Sequence, residues 1–523
     1  MNKIKPFLEN LDDHQIILCL SILGFILAVL SNYFQHDWMN VDSLLYFESA
    51  RLISIGEWKQ AIAIYNWPLY STLIGLLSRL TTISIQHCAQ IWNIVFFTVT
   101  VFSLCKIIQL AGGKQLTLIC GAFLLLSSSY IAGSALPMLL RDQGFWATFL
   151  TSIIFFINFY RNQKMRDALL WQASATIATL FRIEAITYLV FLPTLLLLNK
   201  NFSWHERIKF FIKINTVPAL IAILLLAALA IAPSIHFADF GRLQEAFNLA
   251  KNVVDAFNLK ATEMNKLLGE DLEDYGLLSI TISLLAIFIF KVCKLVSWQV
   301  ISLFFISTTQ AKSQSISSAI RPDVNKILIA LLIFSSINPL ASIARSFVLS
   351  SRYLVAFTLI VFIFGAFHLA RLLENIRFTQ RIYKIATYFI IALLTASLVH
   401  NFSPKKPGYH HEKDAINYIQ ANNIPNTKVF YTTPKSIYYA GLPYNRGCEG
   451  MWGCIEESIK NGSALQYDYL LIYLDIDEHL SEKEKVLENM LVDYEVSKEF
   501  YGLNNKKKLI LYSKKAVLKS NKN

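Results

Sequence analysis

Residues 15–34, QIILCLSILGFILAVLSNYF, carry no charge and are long enough to cross a bilayer as one helix. Residues 35–80 follow as QHDWMNVDSLLYFESARLISIGEWKQAIAIYNWPLYSTLIGLLSRL, an amphipathic stretch too long for a bare connection. It reads as two or three interfacial helices on the far side of the first span. A greasy span followed by a wet, aromatic loop sets the fold class: a helical membrane protein with chemistry at its rim.

Composition agrees over the whole chain. Of 523 residues, 54% are hydrophobic and only 16% charged, and the mean hydropathy is +0.44. A soluble protein of this length carries about a quarter charged residues, so most of this surface does not face water. The abundant Phe suits lipid, and Tyr and Trp suit the headgroup level.

Working outward from the first span, apolar runs occur at 88–108, 115–136, 143–161, 167–182, 184–199, 210–233, 276–296, 326–340, 352–371 and 382–400. With residues 15–34 these predict about eleven transmembrane helices. Residues 297–309, SWQVISLFFISTT, fit an extension, a re-entrant piece or a further crossing. The polar start Met1–Asp13, with no small-residue cleavage site after Ile16–Leu30, does not read as a cleavable signal peptide.

Charge gives an orientation. Alternate loops hold Lys3 and Lys5; Lys106 and Lys114; Arg161, Lys164 and Arg166; Lys200, Arg207, Lys209 and Lys213; Lys312, Arg321 and Lys326; Arg371, Arg377, Arg381 and Lys384. The loops between them are mixed or acidic, above all 234–275. The positive-inside rule then puts the N-terminus in the cytoplasm and the C-terminus outside. The net charge of +12 is explained by these loops, and no basic stripe on a soluble fold points to nucleic acid.

Residues 1–400 therefore form an all-α polytopic bundle, with a first outer loop at 35–87 and an outer helical loop at 234–275. Residues 401–523 change character and form a small extracytoplasmic α/β domain. Strands are expected at Lys428–Thr432, Tyr467–Leu474, Tyr494–Tyr501 and Lys508–Ser513, with helices at the start and at Ser481–Val492. Cys448 and Cys454 lie close together there, in what would be an oxidising compartment, and are expected to pair. The other five cysteines sit in apolar runs.

Candidate chemistry lies at the outer ends of the spans. Asp42, Tyr46 and Arg51 are expected on one face of a rim helix, although Asp42 also fits a plain cap for a helix starting at Ser43. Arg141 and Asp142, Arg182 and Glu184, and Arg345, Arg352 and Tyr353 stand at other outer ends. Each alone fits a structural ion pair or a snorkelling arginine. Together they suit a lipid phosphate, since guanidinium binds phosphate oxygens in pairs.

The first loop resembles that of the GT-C fold glycosyltransferases that use polyprenyl-phosphate sugars, including protein O-mannosyltransferases and lipid A aminoarabinose transferases (glycosyltransferase family 39-like). The resemblance runs through Asp42, Tyr46, Ala50, Gly56-Glu57-Trp58 and Pro68-Leu69-Tyr70, then Asp142, then Ser351-Arg352-Tyr353, and a C-terminal domain that opens on a helix, KDAINYIQANN. Ser43 and Trp67 depart from the pattern, and the lysine of the aminoarabinose enzymes has no counterpart at Asn66-Trp67.

The resemblance implies a bacterial inner-membrane enzyme with its C-terminal domain periplasmic or extracellular. Its donor would be a polyprenyl-phosphate sugar held among membrane lipids, and its acceptor a hydroxyl of a glycan, lipid or protein. Inverting displacement at the sugar C1 would use Asp42 as base, with Asp142 assisting or orienting. Arg182 and Arg352 would meet the leaving phosphate, with Arg141, Glu184, Tyr353, Tyr46 and Arg51 around the substrate. Some relatives use a divalent metal (Mg, Mn or Zn), which Asp42 and Asp142 would share. The rival readings are a transporter or flippase of lipid-linked saccharides, a glycan ligase or polymerase, and an inactive scaffold.

Overall fold

The computed structural model describes residues 11–35, 37–231, 249–309, 320–376, 380–404, 410–502 and 505–515. Lys3, Lys5, Asp239, Glu245, Lys312 and Arg377 lie outside the described residues, and the acidic loop 234–275 is described only from Leu249. The chain divides into two compact units. One comprises Met1–Tyr33 and Tyr65–Ser403; the other comprises Phe34–Ile64 and Pro404–Asn523.

The first unit is helical. In chain order its first helix is α1 (Asp13–Phe34). The next two, α2 (Val41–Ser54) and α3 (Trp58–Ile64), belong to the second unit. The first unit resumes with α4 (Leu69–Thr81), α5 (Ile85–Leu110), α6 (Gln115–Leu126), α7 (Asp142–Asn162) and α8 (Met165–Phe181). Then come the short α9 (Ile186–Phe191) and α10 (Thr194–Leu197), α11 (Trp204–Ile231), α12 (Leu249–Leu268) and α13 (Gly276–Val296). It closes with α14 (Trp298–Thr309), α15 (Pro322–Ser346), α16 (Val355–Glu374) and α17 (Arg381–Phe402).

Six of these helices are long and apolar enough to cross a membrane: α1, α5, α13, α15, α16 with its preceding turn, and α17. A seventh is a broken pair, Gln115–Leu126 and Ile131–Met138, bent by 55°. The expected count of eleven is therefore not met among the described residues. Apolar runs are not each one long helix. The run 167–182 ends at Phe181 after 17 residues, and 184–199 is split at Pro193 into two pieces. The run 143–161 does form one 21-residue helix, α7, but it is less apolar than the six.

The surface supports a hydrocarbon surround. Only 22% of the best window of α13 and 17% of that of α17 are buried, against 78% for α16. Leu277, Leu278, Ile282, Leu285, Ile287, Ile289 and Phe290 all project outward from α13. These side chains are about half exposed, so in water each would forgo roughly 1 kcal/mol of burial; in lipid this face is at home.

Residues 297–309 form the separate short helix α14, set off from α13 at Ser297, whose φ is +78°. A side chain at Gly365 of α16 would meet Val300 and Leu124, and Phe304 packs on His368 with ring centroids 4.3 Å apart. Residues advance together along both helices, so α14 runs beside α16 in the same direction.

Ion pairs tie the ends of the bundle. At one end Arg161 donates to Asp323 at 2.5 Å and to the Leu110 carbonyl at 2.9 Å, and the Arg321 N–H donates to the Ala111 carbonyl. The opposite end of α7 begins at Asp142, about 29 Å away at helical rise. At the break in the α6 span, Asn401 donates to the carbonyls of Leu126 and Ser128, at 3.0 and 3.2 Å, satisfying groups that the bend leaves open.

The second unit carries a four-stranded sheet: β1 (Val429–Tyr431), β2 (Tyr469–Asp475), β3 (Tyr494–Tyr501) and β4 (Lys507–Lys514), in the order β1-β2-β4-β3. β1 and β2 are parallel and the other pairs antiparallel. β2 is buried on both faces because successive side chains alternate. Tyr469, Leu471 and Tyr473 meet α18 (His411–Ala421) and α19 (Pro434–Tyr439), while Leu470, Ile472 and Leu474 meet α20 (Trp452–Lys460) and α21 (Leu480–Met490). Cys448 and Cys454 form a disulfide at the start of α20. α2 and α3 turn on each other at Gly56, whose φ of +94° favours glycine, and Leu52, Ile53 and Ala61 close a small core between them.

Candidate functional site

In the first unit the site begins where the broken span meets α7. Leu139 sits in the left-handed region at φ +53° and ψ +48°, and its carbonyl accepts a hydrogen bond from Tyr70 Oη at 3.2 Å. This turn delivers Arg141 and Asp142, both buried, to the start of α7. A strained non-glycine residue persists only where its surroundings enforce it.

Asp142 is the hub. Arg182 donates to its Oδ1, and Arg352 donates Nη2 to Oδ2 at 2.7 Å and Nε to both oxygens at 3.1–3.2 Å. Arg182 also grips Glu184, at 2.9 and 3.2 Å, and lies 4.9 Å over the Tyr353 ring. The Glu184 carbonyl accepts from Asn338 at 2.8 Å, and Asn338 in turn accepts from Thr187 at 2.9 Å. Arg141 stacks 5.7 Å over Tyr65. Five predicted residues, Asp142, Arg182, Glu184, Arg352 and Tyr353, therefore gather in one cluster, with Arg141 beside them. Three guanidinium groups face two carboxylates.

Both oxygens of Asp142 are held by arginines, an arrangement that fits the orienting side of the expected role better than the assisting one. Among the described residues no three His, Cys, Asp or Glu side chains gather as a metal site.

A cavity of about 220 Å³ adjoins the cluster at Ser351, the neighbour of Arg352. Its lining mixes hydroxyl groups, among them Ser128, Tyr130 and Ser297, with the Lys294 side chain and apolar groups such as Leu124 and Phe362. The Tyr130 hydroxyl lies within electrostatic reach of Asp142, Arg352 and Arg182. Lys294, which lines this cavity, was not among the expected residues, because a lysine in the last turn of an apolar helix reads as an ordinary span end.

Arg345 lies on α15 in the first unit, while Asp42, Tyr46 and Arg51 belong to the second unit. Asn40, not Asp42, caps α2: its Oδ1 accepts from the Asp42 N–H at 2.9 Å. Asp42 is half-buried in the first turn, so the plain capping role expected as the alternative is overturned. Tyr46 is buried, whereas the Arg51 side chain is 47% exposed and paired with Glu48 at 2.7 Å. Arg51 thus leaves the face it was expected to share, because nine residues make two and a half turns and put it opposite Asp42. Tyr444 lies within reach of the Asp42 charge. Burial pushes its phenol up, opposed by Arg446 and assisted by Glu449 and Asp42.

No family model matches the sequence, and no curated protein matches it either.

Proposed function

We propose that this chain is a membrane-embedded glycosyltransferase that moves a sugar from a polyprenyl-phosphate donor to an acceptor hydroxyl at the outer face of a bacterial inner membrane. The reading is supported above all by the cavity beside the Asp142 cluster: its lining mixes hydroxyl groups suited to a sugar or phosphate with apolar groups suited to an isoprenoid, and an excess of cations lies next to it. Phosphate departs as an anion, and fixed cations stabilise that charge as it grows.

In this reaction the acceptor oxygen attacks C1 and the C1–O bond to phosphate breaks, with its electron pair leaving on the phosphate. The acceptor proton passes to a carboxylate. The resemblance of the first loop gives that role to Asp42. Arg352 and Lys294 are assigned to the leaving phosphate, Asp142 and Glu184 hold the guanidinium groups in place, and Tyr46 supports α2 from within. Lys294 supplies a cation that the missing motif lysine would otherwise have provided.

One observation favours a second reading. The span broken at Ser127–Tyr130 lines the cavity, and broken spans at a binding site are a feature of transporters. Full-length protein in nanodiscs with a panel of polyprenyl-phosphate sugars separates the two. A transferase consumes donor, a flippase moves it unchanged. Asp42→Asn is expected to lower donor consumption by about 10²–10⁴-fold, and Lys294→Ala and Arg352→Ala by about 10²-fold. Equal turnover in Asp42→Asn rejects it as the base, and no consumption of any donor by the wild type rejects the enzyme.

A further inference from the structure

α2 carries Asp42, yet it is preceded by a chain segment with no regular structure of its own, Asp37–Asn40. A base on a rim helix works only if that helix is held to within a fraction of an ångström. The side chains that hold it come from the far end of the sequence.

Asp37 is the anchor. Its side chain is 6% exposed, accepts a hydrogen bond from Lys413 at 3.0 Å, and lies 3.5 Å from His410 Nδ1. The Asp37 backbone carbonyl accepts from Tyr439 Oη at 3.4 Å, and the Lys413 ammonium sits 6.0 Å over the ring of that same tyrosine. Ten residues later, Phe47 is buried with its ring centroid 5.9 Å from that of Tyr438. Lys413 lies on α18, and Tyr438 and Tyr439 end α19, both helices of the α/β domain. The segment 34–64 is thus gripped before α2 and again in its middle, and it clusters in one compact unit with residues 404–523. A carboxylate this buried keeps its place only when paired, because an uncompensated charge there is costly. Its partner lies 376 residues away in sequence.

We infer that the C-terminal α/β domain positions the Asp42-bearing helix through a latch in which Lys413 and Tyr439 hold Asp37 and Tyr438 holds Phe47. Asp37 and Lys413 are positioning residues: they touch neither substrate nor reacting atoms. The inference rests on the reading of Asp42 as the base for its catalytic consequence, but not for the latch itself.

The test uses full-length protein in nanodiscs. Hydrogen exchange is followed at the amides of 41–54 and, as a control for folding, at 469–475, alongside donor turnover, in wild type, Asp37→Asn, Lys413→Ala and Lys413→Arg. Asp37→Asn and Lys413→Ala are expected to speed exchange in 41–54 about tenfold, the loss of one charged hydrogen bond, while 469–475 is unchanged. Lys413→Arg, which keeps the cation, restores slow exchange. In Asp37→Asn and Lys413→Ala kcat falls about tenfold with the donor KM within twofold, and Lys413→Arg restores it. Unchanged exchange in 41–54 overturns the latch whatever the activity. Faster exchange with undiminished kcat overturns the positioning role. A wild type that consumes no donor sinks the proposed reaction alone, and exchange still decides the latch.

Discussion

Asp142 in the helical bundle and Glu412 in the α/β domain are both buried acidic residues, and the protein keeps them in opposite ways. Asp142 has two guanidinium groups on its oxygens, from residues 40 and 210 positions away. Glu412 bonds Thr433, but its Oε2 has no hydrogen-bond partner among the described residues. Burial raises its pKa, with Lys435 and Lys507 and the Thr433 hydrogen bond opposing. The first arrangement holds its charge on two direct ion pairs. The second favours the proton, because burial outweighs the pull of Lys435, Lys507 and Thr433 on the ionised form.

The largest effect follows from breaking the first arrangement. Asp142→Ala leaves the buried Arg182 without its central partner, and is expected to lower stability by about 3–5 kcal/mol, read by thermal or denaturant unfolding in detergent. A loss below about 1 kcal/mol would show that water or lipid reaches these guanidinium groups.

A smaller effect separates Glu412 from it. A carboxyl whose folded pKa is raised binds its proton more readily in the folded state, so its contribution is full below the ordinary glutamate value and is lost as pH rises through the folded one. Stability from this group should fall as pH rises from the ordinary value of about 4.3. Glu412→Gln should remove that slope while changing stability at low pH by about 1 kcal/mol or less. Lys435 works at the other end of the scale. Burial lowers its pKa, so its part of the stability rises with pH below its ordinary value. A pH–stability curve that is the same in wild type and Glu412→Gln would place the two carboxyl groups in one class after all.

The smallest effect concerns Arg51. It is paired within its own helix and half in water, so Arg51→Ala should cost about 0.3–0.5 kcal/mol and leave donor turnover as it was. A tenfold loss of turnover would return Arg51 to the site.

Sequence by itself determined what depends on neighbours along the chain. Residues 15–34 meet lipid because they lack charge, and 469–474 alternate between two cores because a strand has a period of two. It also singled out Asp142, Arg182, Glu184 and Arg352, since charged residues at the ends of apolar runs are costly enough to be visible one at a time. What it left open was which of them meet. The tertiary structure alone put Arg352 on Asp142, brought Lys294 to the cavity, turned Arg51 away, and joined Asp37 to Lys413. Among the described residues it also left six or seven long spans where eleven apolar runs were read, with Pro193 and the bend at Ser127–Tyr130 breaking two of those runs. Hydrophobic burial is roughly additive along a sequence. Charge pairing depends on distances that only the folded chain defines.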